Sequence, residues 1–455
     1  MNRVAGTSRC LALLGAGLFL FAAGAVGEEA TRLEDYSGSV RGDYVYRNMG
    51  NYEDHDAYGY WHFRGRNLSD KRLEVYTSGR LHSDLDGTTS DSDDPFRSID
   101  DPSGGEIRLL QFYVDIHDRK GDKALRYGRQ YVDVADYIQM DGAQVMLFER
   151  HGFGGRVFLG RPVSDYASTS GDVFGGVSLV GRPCAGNVSR ATYARYEDDS
   201  AGEADDHWFL DVRQQFADEV RARTYLSVMN DDVRMGGADL TYVSMSDRVL
   251  DAMLGIQRWG DYSAGTRAYS PLTEVLGDLE PYTMAYGRIT TETTPWLYLS
   301  PGAMVKQPDD SDFTNRRFGR YDLSFILEPK DDITATVALE YWDVENDDRF
   351  FGLSGDIRYR YRKLWELTLG AAYIDYTYLQ LADQSVITDD NQSPPLIDPQ
   401  DGTRVERSPD AFTYYLRGRW NITKKASLRL SGEIEDDSDE SDLAYRIRTS
   451  FEVRL

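Results

Sequence analysis

Ile357-Arg358-Tyr359-Arg360-Tyr361-Arg362 sets an apolar or aromatic side chain beside an arginine three times in succession. The same beat runs through residues 72–82, where Leu73, Val75, Thr77, Gly79 and Leu81 interleave with Arg72, Glu74, Tyr76, Ser78, Arg80 and His82. Successive side chains of a strand point to opposite faces, so each stretch makes a ribbon with one greasy and one wet face. Stretches of this kind, each about ten residues long, recur from Tyr36 to Leu455. Strands of that length with a charged inner face and an apolar outer face are the signature of a transmembrane β-barrel. The expected fold is all-β, a single large antiparallel barrel over residues 36–455 with about 22 strands, within a range of roughly 20 to 24.

The ends and the composition fit export. Arg3 and Arg9 give a positive start, residues 10–23 an apolar run, and Ala25-Val26-Gly27 a small-residue cleavage site, so residues 1–27 read as a signal peptide. The run is shorter than the about 20 residues a bilayer helix needs, which argues against an N-terminal anchor. Residues 28–35 then form a short periplasmic segment, too small for a plug domain. Mean hydropathy is −0.53 and no later stretch is apolar enough for a helical span. Loss of two arginines with the signal takes the net charge from −25 to −27. That acidity speaks against nucleic acid and anionic lipid surfaces as partners. It suits loops set among the divalent cations of an outer leaflet, beside lipid and lipopolysaccharide. Only Cys184 outlives the signal, so no internal disulfide can form.

Connections alternate in length. Residues 67–71, 118–123, 217–219, 329–332 and 421–424 are short. Residues 83–105, 198–206, 261–280, 307–315 and 379–410 are long or acidic. Bacterial barrels place short turns in the periplasm and long loops outside. Starting from a periplasmic N-terminus, the alternation walks to the C-terminus with an even strand number. Two outer connections, 231–235 and 345–348, break the length rule, and residues 154–188 are weakly patterned. Thirty-one tyrosines and seven tryptophans suit aromatic girdles, with Trp61, Trp208, Trp296, Trp365 and Trp420 expected near strand ends. A soluble β-sandwich has strands of about 5–6 residues and a packed inner face, which these longer, charge-rich ribbons do not match.

With apolar residues outside, the bore becomes a lattice of mixed charge. Arg41, Arg64, Arg66, Arg72, Arg80, Arg358, Arg360, Arg362, Arg417, Arg419, Arg446 and Arg448 are expected to line it. Glu74, Asp356, Glu366 and Glu433 complete the set of pore-lining candidates. Several of these lie on the first and last strands, which meet when a barrel closes. One reading is a basic stripe attracting carboxylates or other anions. The other is cross-strand ion pairing that stiffens a wide wall. The lumen must be narrowed by its own loops or filled by another protein, and residues 379–410 and 83–105 are the candidate constrictions. No catalytic constellation, cofactor motif or metal-ligand spacing emerges, so neither an enzyme nor a metalloprotein is expected.

The closing strand, with Leu443, Tyr445, Ile447, Phe451 and Val453 outward, resembles the targeting strand of Gram-negative outer-membrane barrels, though it ends in Leu rather than Phe. That likeness implies the barrel-assembly machinery as a partner and the outer membrane as the destination. Leu125-Arg126-Tyr127-Gly128-Arg129-Gln130, followed by Asp141-Gly142, resembles the Gly-Arg-Gln segment of alginate-export-like and other porin-like barrels. The plan is also similar to the barrel of porin–cytochrome conduits, whose plugless sheath holds a multihaem cytochrome. That barrel carries no haem, and no Cys-x-x-Cys-His site occurs in this chain. The N-terminal cysteine pair of some conduit barrels is not present. The resemblances imply a porin-like channel for small solutes or, alternatively, a cytochrome sheath for extracellular electron transfer. A large barrel needs no partner to close its edges, so a monomer is expected.

Overall fold

The computed structural model describes residues 36–86, 105–118, 120–135, 137–150, 152–164, 169–199, 202–244, 250–261, 280–310, 316–345, 348–381, 404–407, 410–438 and 443–455. The signal segment, residues 28–35 and most of the connections 83–105, 261–280 and 379–410 lie outside them.

The strands in chain order are β1 (Tyr36–Met49), β2 (Tyr52–Asn67), β3 (Leu73–Asp84), β4 (Glu106–His117), β5 (Lys123–Asp133), β6 (Tyr137–Arg150), β7 (Phe153–Pro162) and β8 (Val173–Gly181). Next come β9 (Asn187–Asp198), β10 (Glu203–Gln215), β11 (Val220–Met229), β12 (Asp232–Val243), β13 (Leu250–Trp259), β14 (Tyr282–Thr294), β15 (Leu297–Pro308) and β16 (Phe318–Lys330). The last are β17 (Ile333–Val344), β18 (Arg349–Tyr361), β19 (Trp365–Leu381), β20 (Arg404–Arg407), β21 (Asp410–Asn421), β22 (Ala426–Asp437) and β23 (Ala444–Arg454). β20 is a short ribbon that extends the end of β19. The other 22 strands pair antiparallel, each with its sequence neighbour, and β23 pairs with β1 from Ser39↔Arg454 to Met49↔Ala444. The molecule is a closed antiparallel 22-stranded barrel.

Closure joins the last strand to the first, and the outer surface is apolar. Ile107, Val157, Leu159, Leu179, Leu254, Ile357 and Leu369 are each more than half exposed. Such a surface is unfavourable in water and at home in hydrocarbon. Leu367 and Leu369 belong to it, as the alternation requires. Trp365 and Trp420 face each other in register at the end that carries the short turns, with Trp296 in the turn between β14 and β15. Trp61 and Trp208 differ from expectation: both sit well inside β2 and β10 rather than at strand ends.

Two connections are shorter than the sequence suggested, because the strands run on. β9 and β10 continue to Asp198 and Glu203, and β12 begins at Asp232. Asn230 and Asp231 make that tight turn with φ of 51° and 73°, a left-handed pair that Asn and Asp tolerate better than most residues. The weakly patterned residues 154–188 hold β7, β8 and the start of β9. Their alternation fades for a physical reason: the inner Phe158, Gly160, Phe174 and Gly176 resemble the outer residues in polarity, because much of the inner face here is dry rather than wet.

Candidate functional site: a basic wall and a folded-in flap

Paired residues share a face, so the register carries the inner set around the barrel. Arg358↔Thr368, Thr368↔Arg417, Arg417↔Ser431 and Ser431↔Arg448 form one inner row. Glu366↔Arg419, Arg419↔Arg429, Arg429↔Ser450 and Ser450↔Asp43 form the next. Arg41 completes the group. Arg41, Asp356, Arg358, Glu366, Arg417, Arg419 and Arg448 surround one cavity of about 590 Å³, together with Arg429, which the sequence reading had left out. Arg429 stands in Leu428-Arg429-Leu430, in phase with Arg417 and Arg419 across the turn, and that phase was the available signal.

Both sequence-level readings of the arginines have examples. Arg64 donates to Glu74 at 2.6 Å, Arg80 to Glu106 at 3.0 Å and Arg360 to Glu366 at 2.9 Å. Asp43, with a fully buried carboxylate, bridges Arg41 at 3.2 Å and Arg448 across the β1–β23 closure. By contrast, the guanidinium of Arg417 lies 4.5 Å over the Tyr415 ring with no carboxylate in ion-pair contact among the described residues. The Nε of Arg358 is shielded and without a hydrogen-bond partner among them. Glu433 and Arg446 face each other in register, Arg66 is exposed near the end of β2, and Arg72 sits in the turn ahead of β3. Arg362 is not on the wall. It lies in the β18–β19 turn at φ 48°, its guanidinium 5.3 Å over Tyr361.

The opposite side of the bore corrects the expectation of a charge lattice all round. β4 and β5 pair only from Phe112↔Arg129 to His117↔Ala124, although β4 begins at Glu106 and β5 runs on to Asp133. Beyond that point the β5–β6 hairpin leaves the wall and folds inward as a flap. Gly128 adopts φ +128°, and a Cβ there would lie 2.2 Å from the carbonyl oxygen of Phe112. Gly128, Gly142 and Gly160 share one inner row, where side chains would block so sharp a fold. The flap's inner side, Val132, Val134, Ile138 and Met140, is sealed against Phe158, Phe174, Ala194, Tyr196 and Met229. Its tip is pinned by Arg156, which donates to the Asp133 carbonyl, and by Arg190, which bonds the Asp133 carboxylate. These partners stand on β7 and β9, contacts that a hairpin lying in the wall could not reach.

The residues quoted for the porin-like resemblance form this hinge. Arg129 makes a bidentate pair with Asp141, at 2.8 and 2.7 Å, and donates to the Leu109 carbonyl at 3.2 Å. Gln139 donates to the Leu110 carbonyl. Two carbonyls of β4 left without a strand are thus satisfied by side chains, as a non-aqueous setting demands. Gln130, fully buried, donates to the Gly142 carbonyl at 3.3 Å. Among the described residues, this short flap is the segment folded in from the wall; the candidate constrictions 83–105 and 379–410 fall mostly outside those residues.

No family model and no curated protein matches the chain. Solved structures similar to it include the outer-membrane protein OpdK of Pseudomonas aeruginosa, at 11% identity and TM-score 0.44, covering 93% of this chain and 100% of that one. OccK2 (OpdF) of the same organism, in complex with glucuronate, is 14% identical with TM-score 0.46, covering 93% and 99%. OccAB4 of Acinetobacter baumannii is 8% identical with TM-score 0.44, covering 92% and 98%.

Proposed function

We propose that this protein is an outer-membrane channel that gives small solutes passive passage, with anions such as carboxylates favoured. The observation that carries the reading is the closed cylinder whose apolar outside is joined to an arginine-lined wall on β18–β23 and β1. In a chain of net charge −25, a focused basic wall is a local exception that raises the concentration of anions where it faces water. Arg358 and Arg417 are placed to meet a solute because their charge is not spent on a neighbouring carboxylate. The folded-in flap occupies bore space on the β5–β9 side, which favours small solutes over an enclosed cytochrome.

Purified protein in planar bilayers tests this directly. Stepwise conductance with a reversal potential of anionic sign is expected in a salt gradient. Arg358→Gln combined with Arg417→Gln should move that potential toward cations while conductance steps persist. A bilayer that stays silent at every voltage overturns the channel, and an unmoved reversal potential overturns the role of the two arginines.

A further inference from the structure

The flap leaves a seam in the wall. Among the described residues, β4–β5 is the barrel junction at which both strands run on furthest after their ladder stops, β4 over residues 106–111 and β5 over residues 130–133. At the other junctions the backbone ladders run to within two residues of the shorter strand's end; here the Arg129 and Gln139 side chains reach the Leu109 and Leu110 carbonyls in place of a ladder. A backbone ladder in lipid opens only at the cost of orphaned amides, whereas a side-chain bridge can exchange partners.

One face of β5 also changes surroundings along its length. Leu125 and Tyr127, 42% and 68% exposed, point outward with the apolar belt. Above the hinge the flap's inner side is sealed in the dry cluster, so the other face, with Tyr131 and its register partner Gln139, looks into the bore. Tyr137, 76% exposed, stands on that same face. Ile107 on the abandoned edge of β4 is 67% exposed. Apolar and aromatic side chains thus stand on the hydrocarbon side, at Ile107, Leu109, Phe112 and Tyr127, and again on the flap's bore side, at Tyr131 and Tyr137, with the Arg129–Asp141 pair between the two groups.

Resting on the channel reading, we infer that the β4–β5 seam is a side entrance between the outer leaflet and the bore for amphiphilic anions, molecules with an apolar chain and one anionic head. The chain slides along Ile107, Tyr127 and Tyr131, the head passes the Arg129–Asp141 pair, and the arginine wall, whose Arg358 and Arg417 are unpaired with any carboxylate among the described residues, receives it inside. No bond is made or broken; the passage is an exchange of surroundings.

The test uses the full-length barrel with Cys184→Ser as background, reconstituted in liposomes. Ile107→Cys is labelled in detergent with a bulky maleimide, and Leu369→Cys, equally exposed on the lipid face far from the seam, is labelled in the same way. Fluxes of a long-chain alkyl sulfonate and of a short hydrophilic sulfonate are then compared, since neither permanently charged anion crosses lipid unaided. The expected result is loss of the long-chain flux on labelling Ile107→Cys alone, with the short sulfonate unaffected. Equal effects of the two labels, equal effects on the two sulfonates, or a barrel that passes only the short sulfonate would overturn the side entrance. Absence of flux for both sulfonates in the unlabelled protein would instead overturn the channel itself.

Discussion

Asp43 shows how much can depend on one carboxylate. Its side chain is fully buried, and it bonds Arg448 and lies 3.2 Å from the Nε of Arg41. β1 and β23 are the two ends of the chain's barrel, so the ladder between them forms only after the rest of the sequence is in place. Removing one partner of a buried ion pair strands the others and costs about 3–5 kcal/mol in a dry interior. Both arginines keep partial contact with the bore, with side chains 33% and 39% exposed, which puts the expected loss for Asp43→Ala at about 3 kcal/mol. Urea unfolding from lipid vesicles, read by the midpoint at unchanged slope, measures it. A midpoint equal to that of the parent would show that the closure does not depend on this carboxylate.

At the scale of elements, turn chemistry separates what is well solved from what is strained. Asn230-Asp231 fills a two-residue turn with residues that accept positive φ, whereas Arg362 and Lys363 hold φ of 48° and 61° in the β18–β19 turn. Non-glycine residues in that region cost roughly 1–2 kcal/mol each. Arg362→Asn with Lys363→Gly, the preferred pair for such a hairpin, should therefore stabilise the barrel by about 1 kcal/mol, part of the gain being offset by the greater freedom of glycine when unfolded. The same unfolding assay reads this as an upward shift in midpoint; a downward shift would mean that the two cations contribute something at that turn which their backbone strain conceals. The alternation that identified β18 was legible because its inner face is wet: Arg358 and Arg360 against Ile357 and Tyr359 leave no doubt about phase. On β7 and β8 the inner Phe158, Gly160, Phe174 and Gly176 match their outer neighbours in polarity, so the period vanished from the sequence. The arginine wall could be read for the same reason that β18 could. The flap could not, because a fold in a sheet is written in where glycines align across strands, and that alignment exists only once the register is known. Gly128, Gly142 and Gly160 stand 14 and 18 residues apart and meet only in the structure.

For the molecule as a whole, the acidic total and the basic wall make opposite demands on a permeating anion. The chain carries 76 acidic against 51 basic residues, yet the wall of β18–β23 and β1 gathers Arg41, Arg358, Arg417, Arg419, Arg429 and Arg448 around one cavity. The mean field of the protein repels anions, and only the near field of that wall attracts them. Salt screens both, but over different ranges: the Debye length is about 10 Å at 0.1 M and about 3 Å at 1 M. At low ionic strength the distant acidic groups are felt at the mouths and slow anion entry. Near physiological strength those groups are screened, while arginines within a few ångströms of a solute still act. At 1 M even the wall is shielded. Anion preference, read as the reversal potential under a fixed concentration ratio, should therefore be greatest at intermediate salt and fall on either side. A preference that declines steadily from the lowest salt would show that the distant acidic groups do not oppose anion entry and that the wall acts alone. A preference independent of salt would place it in direct contacts too close to be screened. The Arg358→Gln, Arg417→Gln barrel should lose the intermediate maximum and keep the low-salt behaviour, because only the near field has been removed.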